Sequence, residues 1–210
     1  MNRCRVNRTR RAAWLAAVGV LLSAGFARAD TPDLYRQSYV LEAKGDYQGA
    51  LGRMREVAKS GGSSYFVSLR TGWLSYLAGD YEGAEASYRA AIAAKPAALE
   101  AKIGLTLVLY VAKRWKALET ACKQVLSEDP KHATVRARLA SSQYATGNYP
   151  DAAAIYRKLV DTYPGELDYQ TGLGWALLRM GKREEAQKLF RGVLAVSPDN
   201  PNAAEGMAAK

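Results

Sequence analysis

Residues 133–166 read ATVRARLASSQYATGNYPDAAAIYRKLVDTYPGE, and the order of residue classes in this stretch decides the fold. Leu139, Ala140 and Tyr144 recur at helical spacing, and so do Ala152, Tyr156 and Leu159. Between the two runs lies Gly147-Asn148-Tyr149, a break that ends one helix and starts the next. Pro164 closes the stretch, because it lacks an N–H and cannot continue the second helix. The stretch therefore reads as a helical hairpin with a turn at each end.

The same punctuation recurs on both sides at a fixed interval. Gly45-Asp46-Tyr47 and Gly79-Asp80-Tyr81 lie 34 residues apart, Gly147-Asn148-Tyr149 follows 68 later, and Pro96, Pro130, Pro164 and Pro198 are each 34 apart. A period between about 20 and 50 residues signals a solenoid. One hairpin cannot bury its apolar face alone, so each needs a neighbour. Five units fit without insertion, at 31–64, 65–98, 99–132, 133–166 and 167–200. After them, Asp199-Asn200-Pro201 reads as a helix start, and 202–210 supplies a short Ala-rich helix that caps the last unit. Asp30 lies almost at the first repeat, so the first hairpin is expected to fray or to dock onto something.

At this period and with these signatures, the chain resembles the tetratricopeptide repeat family. Numbering each unit from one, that family places small or apolar residues at positions 8 and 20, a large residue at 24 and proline at 32. Here position 8 reads Ser38, Gly72, Thr106, Ala140, Gly174, and position 24 reads Met54, Tyr88, Cys122, Tyr156, Phe190. Departures are local: Gly62 stands for the first proline, Leu118 is oversized at position 20, and Lys182-Arg183 replaces the polar-aromatic pair of the fifth unit. The resemblance implies an all-α, right-handed superhelical solenoid of five helix-turn-helix repeats over 30–210, without catalysis.

Charge is concentrated before the repeats begin. The chain of 210 residues carries 30 basic and 20 acidic groups, and six of the basic ones (Arg3, Arg5, Arg8, Arg10, Arg11, Arg28) lie in the first 29 residues with no acid among them. Removing them leaves 24 against 20. Arg3 to Arg11 form a cationic segment, Ala12 to Phe26 is uncharged and apolar, and Ala27-Arg28-Ala29 ends it with small residues where a signal peptidase needs them. The reading is a signal peptide over 1–29, cleaved after Ala29, and a mature chain exported to the periplasm or secreted. The apolar run is shorter than the roughly 20 residues that span a bilayer, which ranks a retained anchor second. The mature chain contains no transmembrane segment by this reading. Within the units the net charges are +1, 0, +2, +1 and +1. Lys113-Arg114-Trp115-Lys116 is the only dense basic cluster, so nucleic acid is a poor partner, since binding phosphate usually takes several contacts on one face.

By resemblance, the sheltered inner face of the solenoid comes from positions 2, 5, 9, 12 and 13. Here these are largely apolar and aromatic: Tyr35 and Tyr39 in the first unit, Phe66, Leu69, Trp73 and Tyr76 in the second, Ile103, Leu107 and Tyr110 in the third, then Tyr144 and Trp175. Tyrosines in such a row pack as readily as they bind. Trp73 and Trp175 differ, because position 9 normally carries a small polar residue and an indole there protrudes with an apolar face and one N–H donor. Arg36, Arg70 and Arg138, at position 6, read as a basic groove edge. Relatives that clamp a chaperone's C-terminal carboxylate carry Lys at position 5 and Asn at 9, and neither occurs here. An acidic residue beside an apolar anchor stays open as a ligand.

Reactive chemistry is sparse. With only His132, Cys4 and Cys122, no His/Cys metal cluster or disulfide framework can be assembled. His132 reads as a solvated turn residue, and Cys122 as buried and inert. Gly172-Leu173-Gly174 lies inside a helical run with no strand before it, and Met180-Gly181-Lys182-Arg183 lacks the hydroxyl of a phosphate loop. No cofactor is implied. The expected function is an exported adaptor that holds a segment of another protein in its groove, in cell-envelope assembly. The alternatives are a glycan-binding module for polysaccharide export, in which the same rings stack on sugars, and self-association through the first hairpin.

Overall fold

The computed structural model of the chain describes residues 30–209. Eleven α-helices, and no strand, occur among them. The first unit is α1 (Thr31–Ala43) and α2 (Tyr47–Lys59), the second α3 (Ser64–Leu77) and α4 (Tyr81–Ala94), and the third α5 (Leu99–Val111) and α6 (Trp115–Glu128). The fourth is α7 (Ala133–Ala145) and α8 (Tyr149–Thr162), the fifth α9 (Leu167–Arg179) and α10 (Arg183–Val196), and α11 (Pro201–Ala208) caps the stack. The expected signal peptide falls on 1–29, outside the described residues.

Local chemistry explains each boundary. The glycine of the turn signature adopts positive φ at Gly45, Gly79, Gly147 and Gly181, a region open to residues without a Cβ. In the first two units the next residue caps the second helix: Asp46 and Asp80 accept from the N–H of Gly49 and Gly83 at 2.8 and 2.9 Å, whereas Asn148 and Lys182 make no such side-chain bond. The third unit departs from the glycine, because Lys113 holds φ of 55° where the others have Gly. At the other end of each hairpin the residues before proline, Lys95, Asp129, Tyr163 and Ser197, leave the helical region, as the proline ring requires. The first unit lacks that proline and ends differently. Gly61 takes φ of 82° and the Gly62 N–H returns to the Val57 carbonyl at 3.0 Å, closing α2 by a left-handed cap. His132 departs from the solvated-turn expectation. It is half-buried, and its Nδ1 accepts from the Val135 N–H at 3.4 Å as the cap of α7.

Helices consecutive in sequence pack as hairpins, and α3, α5, α7, α9 and α11 also touch one another in order. The odd-numbered helices therefore form the inner row. Position-24 side chains fill the space between units: Met54, Tyr88, Cys122, Tyr156 and Phe190 are all buried. The rings among them meet the residue 16 positions on, at position 6 of the following unit, and the sizes at these two positions compensate. Where position 24 is a ring, the partner is glycine: a Cβ on Gly104 would lie 2.3 Å from Tyr88, one on Gly172 2.6 Å from Tyr156, and one on Gly206 2.4 Å from Phe190. Where position 24 is Met54 or Cys122, the partner is Arg70 or Arg138. Burial pushes the Cys122 thiol up to about 12, which removes the reactive thiolate at neutral pH.

The first hairpin rests on a small cluster: Leu34, Ala50, Leu51, Met54, Val57 and Leu74. Among the described residues it has a neighbouring unit on one side only, whereas the fourth unit is packed on both sides. Amide exchange followed by mass spectrometry is therefore expected to be faster over residues 31–60 than over 133–165. Equal protection in a monomer would contradict this.

Candidate functional site

The inner row leaves open two groups of cavities. In the first half, Tyr35, Tyr39, Phe66, Leu69, Arg70 and Trp73 line a cavity of about 540 Å³. Tyr39, Phe66 and Trp73 stay 57%, 52% and 37% exposed although they are large apolar groups. The Trp73 indole is placed by its own polar end, donating from Nε1 to Glu42 Oε1 at 2.7 Å, and its ring lies 5.6 Å from that of Tyr76. The donor expected to be free in the groove is therefore already engaged, and the face of the ring is what remains on offer.

Arg70 also corrects the expected basic edge. Its side chain is only 9% exposed, pairs with Glu42 through Nη1 and donates from Nε to Ser38 Oγ at 3.2 Å. Tyr39 covers the guanidinium, with Cζ 3.7 Å from the ring centroid. With no aromatic ring at position 24 of the first unit, where Met54 stands, the Arg70 side chain turns inward instead of facing solvent, and its bonds to Ser38 and Glu42 join units one and two. Arg36 does stay exposed, paired with Asp33 at 2.8 Å within α1.

In the second half, a cavity of about 550 Å³ is walled by Leu107, Tyr110, Arg138, Ser141, Tyr156 and Trp175, with Glu166, Asp168 and Asn202 on it as well. A further cavity of about 310 Å³ shares Tyr110, Ser141, Tyr156 and Trp175 and adds Trp115 and Tyr144, so the two make one continuous groove. Tyr156 is held from below, its hydroxyl 2.7 Å from Ser141 Oγ. Trp175 packs edge-on to Phe190 at 5.6 Å, which ties groove to core. Tyr144 and Tyr110 stack edge-on to Tyr149 and Trp115 at 5.4 and 6.2 Å. Leu69, Tyr76 and Ile103 lie half-buried against the central core cluster, so these three serve packing first. The structure thus divides the candidate residues into two groups, one in each half.

Profiles of the tetratricopeptide repeat match residues 35–98, 119–176 and 144–209. The chain is a tetratricopeptide repeat protein. Among solved structures it is similar to a MamA fragment from Desulfovibrio magneticus RS-1, with a TM-score of 0.75, 22% identity, and 83% of this chain and 99% of that one covered. It is similar also to YrrB, described as a repeat protein with an unusual peptide-binding site, at 0.73 and 15% identity, covering 86% and 93%. A tetratricopeptide repeat protein from Parabacteroides merdae ATCC 43184 aligns at 0.76 and 17% identity, covering 85% and 71%. At these identities the likeness speaks for the fold. No curated protein sequence matches the chain.

Other candidate chemistry finds structural employment in the tetratricopeptide repeat frame. Arg114, from the dense basic cluster, reaches back to Glu85 at 2.9 Å and to Glu82 at 3.5 Å, which spends its charge on the preceding unit. Glu128 pairs with Lys102, and Glu185 with Arg157. Among the described residues no three His, Cys, Asp or Glu side chains gather as a metal site, and no helix is long and apolar enough to cross a membrane.

Proposed function

We propose that this protein is an exported, non-enzymatic adaptor that holds an extended segment of a partner protein along its concave groove, in assembly of the cell envelope. The observation that carries the reading is the row of open aromatic faces on the inner helices: Tyr39, Phe66 and Trp73 in one half, Tyr110 and Trp175 in the other. Large rings left open in two groups on a well-packed scaffold fit a partner's apolar anchors. YrrB, a similar fold described as peptide-binding, supports a peptide as the ligand class. Export rests on the cationic segment, the apolar run and Ala27-Arg28-Ala29.

A photo-crosslinker placed at position 73 in intact cells, with the captured material identified by mass spectrometry, tests the reading. Capture of one envelope protein is the expected result. Capture of only its own copies, or of glycan alone, replaces the adaptor by an assembly surface or a sugar channel. With the captured partner in hand, Trp73→Ala is expected to cost about 2 kcal/mol of binding, roughly thirtyfold in Kd. Unchanged affinity would remove Trp73 from the site.

A further inference from the structure

The repeat contains its own control. Arg70 and Arg138 occupy the same position two units apart, and their surroundings can be compared residue by residue. Around Arg70, Ser38 accepts one N–H and Glu42 neutralises the charge. Around Arg138, Thr106 stands in register with Ser38, and its Oγ1 accepts from Nη1 at 2.8 Å, with the Ile103 carbonyl at 3.3 Å. In register with Glu42, however, stands Tyr110. No carboxylate lies within ion-pair reach of Arg138 among the described residues, and its Nε and Nη2 groups donate to none of them. The guanidinium is half-buried on the wall of the second-half cavity, near the phenols of Tyr76, Tyr88 and Tyr110, and desolvation holds its pKa below the usual value. An uncompensated charge in such a place carries a desolvation cost that a counter-ion would offset.

We propose that Arg138 seats an acidic side chain of the partner segment, the ligand's carboxylate taking the place that Glu42 fills for Arg70. The inference rests on the peptide-groove reading above. The carboxylate belongs to an Asp or Glu within the segment, because Arg138 lies along a groove that continues on either side. Trp175 and Asn202 line the same cavity, while Tyr144 and Trp115 line its continuation past Tyr110. Apolar neighbours of the acid then rest on Tyr110 and Trp175. Glu166 and Asp168 line the cavity from the start of α9, exposed and unpaired among the described residues. They repel a second acid there and favour a basic or neutral residue, which fixes the direction of the segment.

The test uses the purified protein and an array of nonapeptides, N-acetylated and C-amidated, so that side chains supply the only carboxylates. The selected peptides are expected to carry an acid between apolar residues. Changing that acid to its amide should weaken binding at least tenfold in the wild type and leave Arg138→Met unaffected. A second variant, Tyr110→Glu, installs the internal counter-ion: it should lose the acidic peptides at least tenfold while its melting temperature holds or rises, which separates seat from scaffold. Selected peptides without acids, or bound equally by both variants, would overturn the role of Arg138 and leave the peptide groove standing. Equal binding of an uncapped, acid-free peptide would move the carboxylate to a chain end and overturn the internal side chain. Selection of no peptide at all would overturn the groove reading and this inference with it.

Discussion

Gly104→Arg is expected to destabilise the protein by about 3 kcal/mol, although it only copies into the third unit the residue that the second and fourth units carry at that position. The reason lies 16 residues upstream. Tyr88 is buried, and its ring occupies the space into which even a Cβ on Gly104 would intrude, at 2.3 Å. Arg138 fits its own place because Cys122, a much smaller group, lies at the equivalent of Tyr88. Tyr88→Cys alone should also destabilise, by leaving a cavity. Combining the two reproduces the fourth unit's pairing, so the double variant should recover at least half of the summed loss. Urea melts of the four proteins measure the coupling. Additive losses, or a harmless Gly104→Arg, would dismiss size compensation between these positions.

That coupling shows what sequence reading reaches and where it stops. Hairpins, turns and the cap are local matters: Leu139, Tyr144, Gly147 and Pro164 each act within a few residues, and a period of 34 makes the same signal repeat. The candidate rings were also legible, because inner-row positions follow from the register. Arg70 was misplaced for a physical reason. A position read down its own column shows Arg, Arg, Gly, Arg, Gly as a patchy basic edge, whereas read against position 24 of the preceding unit it alternates inversely with ring size. Packing between units also decides whether a cation points out or in. The engagement of Trp73 with Glu42 spans 31 residues and follows from the approach of two inner helices, which no window of one hairpin contains. Lys113 in a left-handed turn and the glycine closure of α2 could have been found, since each breaks a column that the other units keep.

Raising the pH from 9 towards 12 is expected to unfold the protein, through three groups in the centre of the stack. Burial, as the main cause, pushes Tyr88, Tyr156 and the Cys122 thiol up to about 12. In the unfolded chain they ionise near their ordinary values, about 8.5 for Cys and 10 for Tyr. The unfolded state therefore loses its protons first, and stability that is whole below pH 8 falls as pH rises, until the folded groups ionise near 12. At about 1.4 kcal/mol for each unit of displacement, the three together amount to several kcal/mol, comparable with the net stability of an ordinary domain. Tyr156→Phe separates this effect from general alkaline repulsion. It loses the hydrogen bond to Ser141 and should cost about 1 kcal/mol at pH 7, yet it no longer contributes to the alkaline loss. Stability curves from urea melts at pH 7, 9, 10 and 11 should therefore converge and then cross, the variant becoming the more stable protein at high pH. Curves that stay parallel would mean that the Tyr156 phenol ionises as readily inside the solenoid as outside it.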